Sequence, residues 1–317
     1  MTDDTSLGIG DLAALTGVSV RTIRFYCDEG VLEPGRSAGG HRRFDRSAVD
    51  RLGLVRRLRA LGLGLPAIAG VLAGDRSLEE AVAAARRAAD AELAALAWRR
   101  ASLRAVEDAD PAQRAARLDL LAAVQDGPAA RDVLLEFWRR RILVPLPDAA
   151  VRAFLEASVP EPPADPAPEQ VVAYAGMVAV ASDRPLLRGL RALGRVNAER
   201  VRDEPTLIAG LGEAVALAAP LVAAGRAPGP GPALDLFVAA HAAGRRARDT
   251  PGFRRALLPA VAMEQDPRLR RYWALFGEVA GVPATAGTVN AWLVDALERD
   301  VARGVRNTVP ARAVPVE

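Results

Sequence analysis

At 317 residues the chain exceeds what one hydrophobic core usually serves, so a small domain joined to a larger one is expected. Half of its residues are apolar, which excludes a disordered chain, while scarce aromatics and abundant Ala, Leu and Arg favour helix over sheet. The formal charge is only +3, yet all 42 basic side chains are arginines, and eight of them stand between Arg36 and Arg59 against two acids, Asp45 and Asp50, an excess that points to a polyanionic partner.

The N-terminus carries Asp3 and Asp4 where a signal peptide needs a basic and then an apolar stretch, and no run of 18 apolar residues occurs. A cytoplasmic protein that does not engage a membrane is therefore expected. Ile9, Leu12, Ala13 and Leu15 follow helical spacing until Thr16-Gly17 breaks the run. Ser19 is placed to cap a second helix over Val20–Cys27, with Gly30 as its stop. Two helices joined by a short turn form a helix-turn-helix. On the second helix Val20, Ile23 and Cys27 face the first, which leaves Arg21, Thr22, Arg24 and Tyr26 to reach phosphates or base edges. Cys27, the single cysteine, excludes an intramolecular disulfide and an all-cysteine metal site within one subunit, and no cofactor is expected.

Residues 35–44, rich in Gly and Arg and ending in Phe44, read as a hairpin wing with a basic edge. Asp45 then caps a helix from Arg46 to Leu61 whose buried stripe is Val49, Leu52, Val55, Leu58 and Leu61, with Gly62 as its stop. A short helix with Pro66 in its first turn runs from Leu65 to Leu72.

The runs Ile9-Gly10-Asp11-Leu12-Ala13, Thr16-Gly17-Val18-Ser19 and Arg21-Thr22-Ile23-Arg24-Phe25-Tyr26 are followed by Gly30-Val31-Leu32, Gly40-His41-Arg42-Arg43-Phe44 and Leu58-Arg59-Ala60-Leu61-Gly62. In order, spacing and residue type this resembles the DNA-binding domain of the MerR family over about 65 positions. The resemblance implies recognition-helix contacts to DNA from Arg21, Thr22, Arg24 and Tyr26 beside the cap Ser19. It implies wing contacts from Arg36, Arg42 and Arg43, and a backbone contact from Arg59. Phe25 and His41 depart from the family pattern, which commonly has Tyr at both positions. His41 either replaces a phosphate contact or packs the wing.

Ser77-Leu78-Glu79-Glu80 matches a capping box, and the helix it opens runs to about Val106 without Pro or Gly. Its apolar positions 78, 82, 85, 89, 93, 96, 103 and 106 are mostly three and four apart, with Arg100 interrupting the stripe. In the resembling family this helix pairs antiparallel with its twofold mate, so a homodimer is implied. Packing of the helix on its own C-terminal domain is the alternative.

Beyond Asp110 the pattern predicts helices over 112–125, 129–143, 148–158, 168–181, 185–201, 205–224, 233–247, 252–264, 267–280 and 287–303, with Pro-rich loops at 160–168 and 227–232. The expected fold is therefore all-α. A winged helix-turn-helix with a small β-hairpin occupies 1–75, a dimerisation helix 76–108, and a multi-helix sensor domain 109–317. Large side chains are few there, and Trp138, Tyr174, Phe237, His241 and Trp273 are the candidates to line a ligand pocket. Clustered cysteines for metal sensing are absent, as is strand–helix alternation after residue 110, so an organic effector or none is expected. No nucleophile–base pair or Gly-rich phosphate loop marks an enzyme. The expected partners are promoter DNA, a second copy, RNA polymerase at the promoter and a small organic ligand. A ligand-independent repressor or architectural DNA-binding protein is the alternative.

Overall fold

The computed structural model describes residues 6–36, 40–140 and 147–308. They form two compact units that divide at Leu93 and Ala94, within one long helix.

The first unit opens with β1 (Leu7–Gly8), α1 (Ile9–Thr16) and α2 (Val20–Asp28), followed by β2 (Gly35–Arg36) and β3 (Arg42–Phe44). The strands form an antiparallel sheet in the order β1-β3-β2, with Leu7 opposite Phe44 and Arg36 opposite Arg42. The wing is thus three-stranded; β1, too short to show alternation in the sequence, is the addition. Helices α3 (Ser47–Ala60) and α4 (Leu65–Ala73) complete the domain. Asp45 ends the wing and starts α3: its Oδ1 accepts from the Ser47 N–H at 2.7 Å, which holds its carboxyl below the usual range.

Leu12, Ile23, Leu32, Phe44 and Leu52 are buried together, and Val31, Val55, Leu58, Leu63 and Ile68 form a second cluster beside them. One expected core residue is misplaced. Leu61 is 70% exposed, and Leu63 takes the buried position. Gly62 explains the exchange, because its φ of +86°, a left-handed conformation that favours glycine, turns the chain after α3 and points Leu63 inward.

Helix α5 (Leu78–Glu107) starts with the expected capping box: Ser77 N–H donates to Glu80 Oε2 at 2.8 Å and Glu80 N–H to Ser77 Oγ at 3.0 Å. Ala81 packs on the first unit's core, while Trp98, Ala101 and Ala105 pack within the second. At 100° per residue, Leu78, Val82, Leu93, Leu96 and Leu103 lie on a different stripe, and all five are exposed.

The second unit continues with α6 (Arg114–Ala122), α7 (Gly127–Arg139), α8 (Asp148–Ser158), α9 (Pro168–Ala181), α10 (Arg184–Arg200), α11 (Glu204–Ala223), α12 (Pro232–Gly244), α13 (Pro251–Val261), α14 (Pro267–Ala280) and α15 (Ala286–Thr308), with a 3₁₀ turn at Ala262–Gln265. Most of the predicted bounds agree to within a few residues because the start signals are strong. Asp126, Asp183, Asp203, Thr250 and Asp266 each cap a helix through a side-chain oxygen, and Pro stands in the first turn of all five. The end of the helix expected over 129–143 lies partly outside the described residues. Among those described, α11 is the one helix long and apolar enough to span a membrane. Glu213 interrupts it, and Ala214 and Ala218 are fully buried in the core it shares with α12 and α15.

Candidate nucleic-acid interface

Helix α1 stops at Gly17, whose left-handed φ of +65° lets its N–H close on the Ala13 carbonyl. Val18 is buried, and Ser19 starts α2 with its Oγ accepting from the Thr22 N–H at 3.1 Å. The Ser19 and Thr22 hydroxyls share a second bond at 2.8 Å, so both side chains are engaged in setting the angle of α2. Ser19→Ala should lower stability by about 1 kcal/mol, which the urea midpoint of the N-terminal unit, followed by circular dichroism, would register.

The outward face of α2 carries Arg21, Arg24, Phe25 and Asp28, all exposed. Neither arginine has an ion-pair partner among the described residues. Two expectations change here. Tyr26, read as outward-facing, is half-buried against both core clusters, and its carbonyl accepts from Val31 and Leu32. Phe25, 48% exposed, holds the outward position instead. Helical arithmetic explains it: residue 25 lies some 40° from residue 21, whereas residue 26 lies some 140° away.

Asp28 was not singled out in the sequence, yet it accepts from Arg42 Nη2 at 3.1 Å and links the wing to α2. Asp28 is largely in solvent and Arg42 partly so, so the pair is worth about 1 kcal/mol or less and chiefly orients Arg42. Arg43 reaches back through Nε to Ser6 Oγ at 3.1 Å. His41 is exposed on the wing. Arg36 ends β2, and its side chain, with residues 37–39, lies outside the described residues.

On α3, Arg59 donates to the Leu63 carbonyl at 2.8 Å and helps close the turn at Gly62. Arg56, also missed, donates to the Thr16 carbonyl at 2.8 Å and ties α3 to the end of α1. Each keeps further N–H groups for a phosphate, since a guanidinium has five. Cys27 is half-buried, and burial pushes its thiol up, so it is not a ready thiolate. Among the described residues no group of three His, Cys, Asp or Glu is placed to hold a metal ion.

The five ligand candidates of the second unit do not converge on one site. Trp138, Tyr174 and Trp273 are buried in an aromatic core. Trp138 Nε1–H donates to Tyr272 Oη at 2.8 Å, Tyr272 donates to the Ser158 carbonyl at 2.7 Å, and Tyr174 donates to the Pro160 carbonyl at 2.9 Å. Burial raises both phenols well above their ordinary value, so these hydroxyls stay protonated donors. Phe237 and His241 sit apart in the second core, ring to ring at 4.6 Å.

A family model described as MerR HTH family regulatory protein matches residues 7–75, and one described as MerR, DNA binding, matches residues 49–109. The nodulation protein NolA of Bradyrhizobium elkanii is 45% identical over 71 residues, 22% of this chain and 32% of its own length. The HTH-type transcriptional activator TipA of Streptomyces coelicolor is 41% identical over 68 residues, 21% and 27% of the two chains. A SoxR homolog of Chromobacterium violaceum, also named an HTH-type transcriptional activator, is 35% identical over 71 residues, 22% and 48% of the two. The chain thus spans about a third of the length of the nodulation proteins it matches. No solved structure matches. Residues 7–109, with the capped recognition helix, the basic wing and α5, form a MerR-family helix-turn-helix DNA-binding region.

Proposed function

We propose that the chain is a transcription regulator that binds promoter DNA as a homodimer and responds to a small organic effector. The observation that carries the reading is the pairing of an arginine-faced recognition helix with an apolar stripe left in solvent on α5. One domain offers few base and phosphate contacts, whereas two recognition helices held by a twofold axis address two half-sites of a palindrome. Leu93 and Leu96 are 68% and 56% exposed, more than long apolar side chains need be if the helix had no mate. Exposed Leu61 and Val82, together with Ala85 and Ala89, line an open groove in the first unit that a second copy can fill.

On DNA, Arg21 and Arg24 reach base edges and phosphates, with Ser19, Thr22 and Tyr26 holding or extending that face. Arg36, His41, Arg42 and Arg43 grip the backbone from the wing, and Arg59 does so from α3. Effector binding shifts the dimer so that it bends and untwists the spacer between the two polymerase boxes. A smooth bend costs about 1–6 kcal/mol, so a modest differential affinity for ligand is enough to let RNA polymerase engage. The work is done in the cytoplasm, where the promoter lies.

Binding-site selection on the full-length protein, followed by transcription from the recovered promoter with and without organic ligands, tests the reading. Recovery of a palindrome with ligand-dependent transcription supports it; recovery of no duplex site refutes it. The dimer has its own test. Leu93→Glu with Leu96→Glu places two charges on an exposed stripe, so the chain folds. Losing two buried leucines costs the dimer about 3 kcal/mol or more, and light scattering should show monomers where the parent protein is dimeric. A double variant as dimeric as its parent contradicts the assignment of α5.

A further inference from the structure

A cavity of about 220 Å³ opens in the second unit, with walls from α10, α11, α12, α13 and α15. Leu193, Leu211, Phe237 and Met263 supply its apolar wall, and an equally large polar share of the lining includes the side chains of Asn197, His241 and Asn290. Among the described residues no charged side chain lines it.

Each polar group retains hydrogen-bonding capacity. His241 is buried, with its Nδ1 at 2.8 Å from Arg245 Nη1. A guanidinium only donates, so Nδ1 accepts and the proton of the neutral ring sits on Nε2. Burial, with the neighbouring Arg245 charge, pushes His241 down to about 3, so the ring is neutral throughout the working range. Asn197 donates from Nδ2 to the Ala260 carbonyl at 2.7 Å, which fixes the sense of the amide. Its Oδ1 is buried without a partner among the described residues, a destabilising arrangement unless something supplies a donor. Asn290 makes no side-chain hydrogen bond among the described residues.

We propose that this cavity binds a small, neutral, single-ring organic molecule carrying a hydrogen-bond acceptor next to a donor, of the aromatic amide type. The acceptor meets Nε2–H of His241, the donor meets an asparagine oxygen, and the ring lies against Phe237 and the aliphatic walls. The volume exceeds the ~150 Å³ that accommodates benzene in a protein interior, which leaves room for one ring and a short polar group. An ion would be desolvated there, since among the described residues no charged side chain lines the wall and Arg245 meets His241 Nδ1 without lining it. Its role as an effector site rests on the regulator reading above; its ligand chemistry rests on the cavity alone.

Calorimetric titration of the full-length protein with benzamide, toluene and benzoate decides the matter. Benzamide is expected to bind one site per chain, about tenfold or more tighter than either analogue, because each leaves polar groups of the wall unpaired. Asn290→Leu fills the cavity at a residue whose side chain makes no hydrogen bond among the described residues, so it should keep the parent melting temperature and lose at least about tenfold in benzamide affinity. If that variant melts early, Leu193→Phe narrows the same space and carries the same expectation. Equal binding of the three probes, undiminished binding by the variants, or no saturable benzamide binding at millimolar concentration overturns the proposal. Duplex-DNA binding by the same samples separates the two claims. DNA binding without benzamide binding refutes the cavity assignment alone, and the reverse refutes the regulator reading alone.

Discussion

Arg24→Ala weakens binding of the selected operator by about ten- to a hundredfold, and Arg21→Ala does the same, because a base-edge or phosphate contact from arginine is worth about 1–3 kcal/mol. Both side chains are exposed on the outward face of α2 and neither is held by a carboxylate, so neither contributes to folding. The salt dependence distinguishes their roles. Loss of a phosphate contact lowers the slope of log affinity against log salt by about one, whereas loss of a base contact leaves the slope and relaxes sequence preference. Arg191→Ala, on exposed α10 of the other unit, should leave both unchanged. Fluorescence anisotropy with operator and scrambled duplexes at several salt concentrations measures all of this. Undiminished affinity in both recognition-helix variants removes that face from the site.

The largest stability effect expected in the second unit comes from one missing methyl group. A Cβ at Gly287 would lie 1.9 Å from the indole ring of Trp273, so α14 and α15 meet through a glycine backbone laid on an aromatic face. Trp273 has nowhere to retreat: Trp138, Tyr272 and Phe276 surround it with ring centroids at 5.0, 5.3 and 5.8 Å. Gly287→Ala therefore costs about 3 kcal/mol through overpacking. All four tryptophans, Trp98, Trp138, Trp273 and Trp292, belong to this unit, so tryptophan fluorescence during urea unfolding reports it selectively. A large fall in its midpoint is expected, and an unchanged midpoint would mean that the two helices are not in contact there.

Local signals made the helices readable from the sequence. The Ser77–Glu80 box, the Asp caps of α7, α10, α11 and α14, and Pro in the first turn are contacts made within four residues of chain, so the linear order contains them. The recognition helix was legible for the same reason, through Gly17 and Ser19. What escaped depends on geometry that the order of residues does not display. The exchange of Leu61 for Leu63 follows from one left-handed glycine. The outward place of Phe25 is a matter of helical angle, and an apolar residue at that position does not advertise exposure. The link from Asp28 to Arg42 joins two elements across a turn. In the second unit, Trp138 and Tyr272 bond across 134 residues, and three aromatics that read as pocket candidates proved to be core. The cavity that does open is lined by two asparagines with no motif around them, on helices separated by long stretches of chain.

Hydroxyl-radical footprinting of the full-length protein on its selected duplex bears most directly on the central claim. Protection of two symmetry-related half-sites, centred about one helical turn or a small multiple of it apart, with two chains bound per duplex, is the predicted result. A single protected patch with one chain bound, or no protection at low salt, contradicts it.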